Sequence, residues 1–230
     1  MIVFVLGTLL ILAFLAWGTF QTAQFLRQFP VNENLLLLPA ENILRIALLV
    51  VCLWLGQLSG LPYAQLGWIS FDPARDVTVG LFAGTFLAVF LPPFTQWAVK
   101  RFGRHVYSPV VVRSILPRSR REWLFVPPLL LSAVLLEEFL FRSFLLGGFG
   151  SFASPVFLAL IWSIVFGAMH VPQGALGVLV AALLGLLLSG LFLATRSLLA
   201  PLVAHYVINL LQLIWASLDK SWLESYGDMV

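Results

Sequence analysis

Two adjacent glutamates, an arginine, two histidines and an asparagine interrupt apolar runs where charge and strong polarity are out of place. PPLLLSAVLLEEFLFRSFLL carries Glu137, Glu138 and Arg142. A charge at the centre of a membrane helix costs about 2.5–3.5 kcal/mol on insertion scales. Three in a turn and a half must therefore face protein or a wet cavity. Glu138 and Arg142 are four residues apart with the acid first, the favourable order for a pair on one helix face. Glu137 is rotated from Glu138 by about 100° and is left to meet water or another helix. A packing ion pair needs only one acid, so the second asks for another purpose. IWSIVFGAMH places Phe166 and His170 on one face, and LVAHYVINLL does the same for His205 and Asn209.

Facing one another, these groups would form a polar pocket inside the membrane. A glutamate beside a histidine can polarise a water, and a histidine with an asparagine amide can donate hydrogen bonds to a developing oxyanion. Together they suit hydrolysis of an amide by water. Ser132, Ser143 and Ser163 lie nearby, but none stands in a G-x-S-x-G context. No H-E-x-x-H occurs. A zinc ion held by one glutamate and two histidines from separate helices remains compatible with the donors present.

The elements that must position these groups follow from composition. Of 230 residues, 61% are hydrophobic and 10% charged, against roughly 25% charged in an average soluble domain. The bilayer is the natural solvent for such a chain, and helices satisfy their own backbone there. The reading is all-α: a polytopic membrane helix bundle forming a single domain over 1–230. Seven apolar segments are expected, at about 2–26, 43–60, 78–99, 124–147, 153–171, 174–195 and 197–217. The first lacks a basic leading region and reads as a permanent span rather than a cleaved signal. Gly80 and Gly84 have the spacing that lets membrane helices approach closely. The lone cysteine, Cys52, excludes an intrachain disulfide and reads as a small apolar residue.

The basic balance does not indicate nucleic acid. Lys100, Arg101, Arg104, Arg113, Arg118, Arg120 and Arg121 crowd one connection, 100–122, against the single acid Glu122. This is the positive-inside pattern, which places that loop in the cytoplasm, the N-terminus outside and the C-terminus inside. His105 in the same loop reads as solvated.

Glu137-Glu138-Phe139-Leu140-Phe141-Arg142 fits E-E-x-x-x-R, Phe166 to His170 fits F-x-x-x-H, and His205 to Asn209 fits H-x-x-x-N. In that order, over about 120–217, they resemble the CPBP family of CAAX proteases and bacteriocin-processing enzymes, which includes the Ras-converting CAAX endopeptidase. The resemblance implies an intramembrane endopeptidase acting on peptides or membrane-anchored proteins. It implies that Glu137 and His170 activate the water, that His205 and Asn209 stabilise the oxyanion, and that Glu138, Arg142 and Phe166 support them. No cofactor is required by this reading. In its metal-dependent form a divalent ion such as zinc would rest on Glu137, His170 and His205. The small size points to a bacterial inner membrane. Two other classes share the pattern: a non-catalytic membrane adaptor or bacteriocin-immunity protein, and a small transporter or proton relay.

Overall fold

A computed structural model describes residues 1–28 and 33–219. Among them, all regular structure is helical, as the composition requires. Helix α1 spans Ile2–Gln28, α2 Pro39–Leu58, α3 Pro73–Phe102, the short α4 Val110–Ile115, α5 Glu122–Glu138, α6 Pro155–Ala168, α7 Gly174–Thr195 and α8 Leu199–Leu218. Six helical stretches are long and apolar enough to cross a membrane, so this is an integral membrane protein. Six of the seven expected segments correspond to these stretches. The other, 153–171, contains only the 14 residues of α6. Its apolar run extends beyond the helix, but the chain breaks at Met169 and His170 and makes one tight turn, Val171–Gln173, before Gly174. Gly174 adopts φ +79, and a Cβ there would lie 2.8 Å from the carbonyl oxygen of Val106.

The helix starts are locally encoded. Asp72 caps α3, accepting a hydrogen bond from the Arg75 amide, and Ser154 caps α6 through the Phe157 amide; in both a proline opens the helix. Large apolar side chains such as Phe82, Phe86, Val156, Ile164 and Leu183 point outward, where lipid replaces water.

Contacts sort the connections into two ends. At one end Phe4 of α1 packs edge-on against Phe144 and Phe149, with ring centroids 5.0 and 6.2 Å away. There Gln65 donates to the Gly147 carbonyl, and the Leu198 amide to that of Gly67. At the other, Asn34 donates to the Ile115 carbonyl and the Ser108 amide to that of Gln173. Leu36, Val126, Leu130 and Leu213 form a separate apolar cluster at this second end. The basic connection and the α6–α7 turn thus share one end, with the start of the chain at the other.

The paired glycines of α3 have a clear purpose. A Cβ at Gly80 would lie 2.7 Å from the Ala200 carbonyl oxygen, and one at Gly84 2.7 Å from that of Ala204. Helices α3 and α8 therefore run parallel in near-backbone contact, and the close approach fixes the stretch of α8 that carries His205. Gly167 similarly seats α6 on Val178 and Ala182 of α7. Gly84→Leu is expected to push α8 outward, lowering thermal stability in detergent by an amount typical of overpacking, about 1–3 kcal/mol. Unchanged stability would show that this contact is dispensable.

Candidate active site

The span bearing the two glutamates is not one regular helix. α5 ends at Glu138, and Phe139–Gly148 continues as a π-helix of 10 residues. Long π-helical runs are rare and tend to occur at functional sites. The widened turn keeps Arg142 beside Glu138, with Nη1 of the arginine 3.1 Å from Oε1 of the acid. Both side chains are essentially inaccessible, at 1% and 0%. Arg142 also donates from Nη2 to the Gly185 carbonyl on α7, at 3.2 Å. Its guanidinium carbon lies 4.9 Å from the Phe166 ring centroid. The arginine thus ties together the π segment, α6 and α7.

His205 arrives from α8. Its Nδ1 is 2.7 Å from Glu138 Oε1, and its Nε2 is 3.7 Å from Glu137 Oε2. Glu138, already held by the guanidinium, presents a carboxylate that accepts hydrogen bonds, so Nδ1 carries the hydrogen. In the neutral ring Nε2 is then a lone pair; it becomes a donor only when the ring is an imidazolium. The sequence does not show that Glu138 and His205 meet. The signal was not local: Glu138 and His205 are 67 residues apart.

His170 stands just past the end of α6. Its Nδ1 is 2.8 Å from the Phe166 carbonyl oxygen. A carbonyl can only accept, so Nδ1 is the protonated nitrogen and Nε2 keeps its lone pair. The Phe166 ring touches both histidines, tilted against His170 at 4.7 Å and edge-on to His205 at 6.0 Å, centroid to centroid.

One cavity of about 200 Å³ collects the four groups: Glu137, His170, His205 and Asn209 all line it. Glu137 has 38% of its side chain accessible, whereas Glu138 has none; the two carboxylates are sorted into one open and one structural group. From this floor the cavity runs toward the basic-loop end, past Gln212 and Leu213, to a roof of Val111, Val112 and Ile115 from α4 with Leu36. The shortness of α6 belongs to the same design. Fourteen residues rise about 21 Å, and the break that follows, ahead of the turn at the basic-loop end, brings His170 to the cavity wall. Among the described residues, no three His, Cys, Asp or Glu side chains lie where they could hold a metal ion.

Residues 119–211 match a family model described as Rce1-like, the type II CAAX prenyl endopeptidases. This is under half of the 230-residue chain, and it contains all four cavity groups together with Glu138, Arg142 and Phe166. The match is consistent with the CPBP family, a family of intramembrane proteases. No curated protein and no solved structure matches the chain.

Proposed function

We propose that this integral membrane protein, whose 119–211 region is similar to the Rce1-like CAAX endopeptidases, hydrolyses peptide bonds of membrane-associated substrates. The observation that carries the reading is a single cavity lined by an accessible glutamate, two histidines each held through Nδ1, and an asparagine. The catalytic core is the 120–217 part of one membrane domain.

Glu137 is the base. It takes a proton from a water oriented by the His170 Nε2 lone pair, and the resulting hydroxide adds to the peptide carbonyl carbon. The C=O electron pair moves onto oxygen, and the oxyanion accepts hydrogen bonds from the Asn209 amide and from Nε2–H of the His205 imidazolium. As Glu137 becomes neutral its attraction for that imidazolium fades, which frees Nε2–H for the oxyanion at the moment charge appears there. Glu137 then gives its proton to the amine nitrogen, the C–N bond breaks, and a carboxylic acid and an amine leave. Glu138 is a positioning residue: it sets the His205 tautomer and offsets the imidazolium charge, while Arg142 holds Glu138 in place. Donors aimed at a developing oxyanion in a water-poor site are the largest source of such catalysis.

The deciding experiment is incubation of a membrane-tethered peptide library with purified protein and with Glu137→Ala, each with and without a chelator. Cleavage by the wild type alone is expected. No cleavage of any peptide, or equal cleavage by both proteins, would overturn the reading.

The basic connection is proposed to lie in the cytoplasm of a bacterial inner membrane, because excess arginine in a short loop is retained there. The cavity then opens toward the cytoplasm. Ser119 is exposed and the only native cysteine, Cys52, is buried. Ser119→Cys should react with a membrane-impermeant maleimide in inverted vesicles and not in intact cells. Labelling of intact cells would reverse the orientation.

A further inference from the structure

A second pocket, of about 410 Å³, lies at the basic-loop end between α1, α2 and the Leu35–Leu38 stretch. Its polar lining is Gln21, Thr22, Glu41 and Arg45, and Leu36 and Ile115 form the wall it shares with the catalytic cavity. The mechanism uses none of the polar four.

Arg45 is the anomaly. It sits two turns into an apolar helix that qualifies as a membrane span. Its Nη1 donates to Asn42 Oδ1 at 2.9 Å. Among the described residues, neither Arg45 nor Glu41 has an ion-pair partner within 4.0 Å. Glu41, in the first turn of α2, stands on the same pocket wall one turn before Arg45, near enough for its charge to favour the guanidinium but without a direct ion pair.

A ligand that carries both charges would pair directly with each. α2 begins at the basic-loop end, so Glu41 is nearer the membrane surface than Arg45 by about 6 Å, four residues at 1.5 Å each. In a phospholipid the phosphate adjoins the glycerol and acyl chains, and the amine extends beyond it toward water. We propose that this pocket holds the headgroup of a zwitterionic phospholipid bearing a primary amine, with its phosphate on Arg45 and its ammonium on Glu41. The order of charges along α2 matches the order in the lipid. The guanidinium binds phosphate oxygens through paired N–H groups, and a primary ammonium keeps N–H donors for the carboxylate that a fully methylated amine lacks. The headgroup would rest on a wall that Asn34 braces twice, accepting from the Leu36 amide at 3.0 Å and donating to the Ile115 carbonyl at 2.9 Å.

The test is independent of peptidase activity. Full-length protein is exchanged into detergent with equal amounts of phospholipids that share acyl chains and differ in headgroup: ethanolamine, its mono-, di- and trimethyl derivatives, and glycerol. Bound lipid is counted by native mass spectrometry. Loss of one charge-assisted hydrogen bond corresponds to roughly tenfold in affinity or more, so retention should fall by about that factor from the primary to the fully methylated amine. Glu41→Gln should erase the methylation dependence while keeping phospholipid bound, and Arg45→Gln should release all of the headgroups. The methylation series on wild-type protein needs no variant, so a poorly folded Arg45→Gln leaves the test intact. Equal retention across the series overturns the proposal. Preference for the glycerol headgroup also overturns it, in favour of a simple anion site.

Discussion

Glu137→Gln is expected to lower peptide hydrolysis by about two to four orders of magnitude, the range general-base catalysis supplies, with the protein as stable as wild type. The two side chains have nearly the same shape, so the cavity keeps its form. The amide cannot take a proton from water. Glu137 lies 3.7 Å from Nε2 of the buried His205, and Glu138 at 2.7 Å from Nδ1 keeps that ring paired when Glu137 loses its charge. Substrate affinity should change little, because a base contributes mainly in the transition state. The measurements are single-turnover cleavage rates, peptide binding and thermal unfolding in detergent. Full turnover in the variant would remove Glu137 from the role of base.

Arg142→Ala should have the opposite character, damaging the fold before the chemistry is in question. Among the described residues, Arg142 and His205 are the two groups paired with Glu138, and the Oε2 atom of that buried acid accepts no hydrogen bond. Removing one member of a buried pair typically costs about 3–5 kcal/mol, since the other is left charged in a low-dielectric interior. Here the loss also vacates the contact with the Phe166 ring and frees the Gly185 carbonyl. Asn209→Ala provides the contrast. It should leave unfolding unchanged and lower kcat by about two to three orders of magnitude, as other oxyanion donors do. If Asn209→Ala unfolds the protein while Arg142→Ala is as stable as wild type, the assigned roles are wrong.

Charge in the wrong solvent made the site legible. Glu137, Glu138 and Arg142 were visible because nothing apolar needs them, and the Glu138–Arg142 pair followed from spacing alone. The helical, membrane-spanning class followed from composition. The π segment is not legible in the sequence, because FLFRSFLL contains nothing that distinguishes a wider turn from one of 3.6 residues. The length of α6 was overestimated because Val171 continues the apolar run after helical hydrogen bonding has stopped. Glycine spacing gave only a weak hint of the α3–α8 contact, since which helix approaches is a tertiary fact. Arg45 was within an expected span, but Glu41 was outside its estimated boundary, so the pair was not seen together.

The 14 residues of α6 have a consequence for the surrounding lipid. A bilayer's hydrocarbon layer is about 30 Å thick, and this helix rises about 21 Å. Beside α6 the mismatch must be met by local thinning of the bilayer or by water reaching down from the basic-loop end. Either response brings bulk water closer to His170 and Glu137 than a full-length helix would allow. The proposed hydrolysis consumes one water per turnover, and the shortness of α6 offers a route for it. On that proposal the catalytic rate would depend on membrane thickness as well as on the protein: longer acyl chains would stretch the hydrophobic layer, lengthen the path and starve the proposed base of its substrate water.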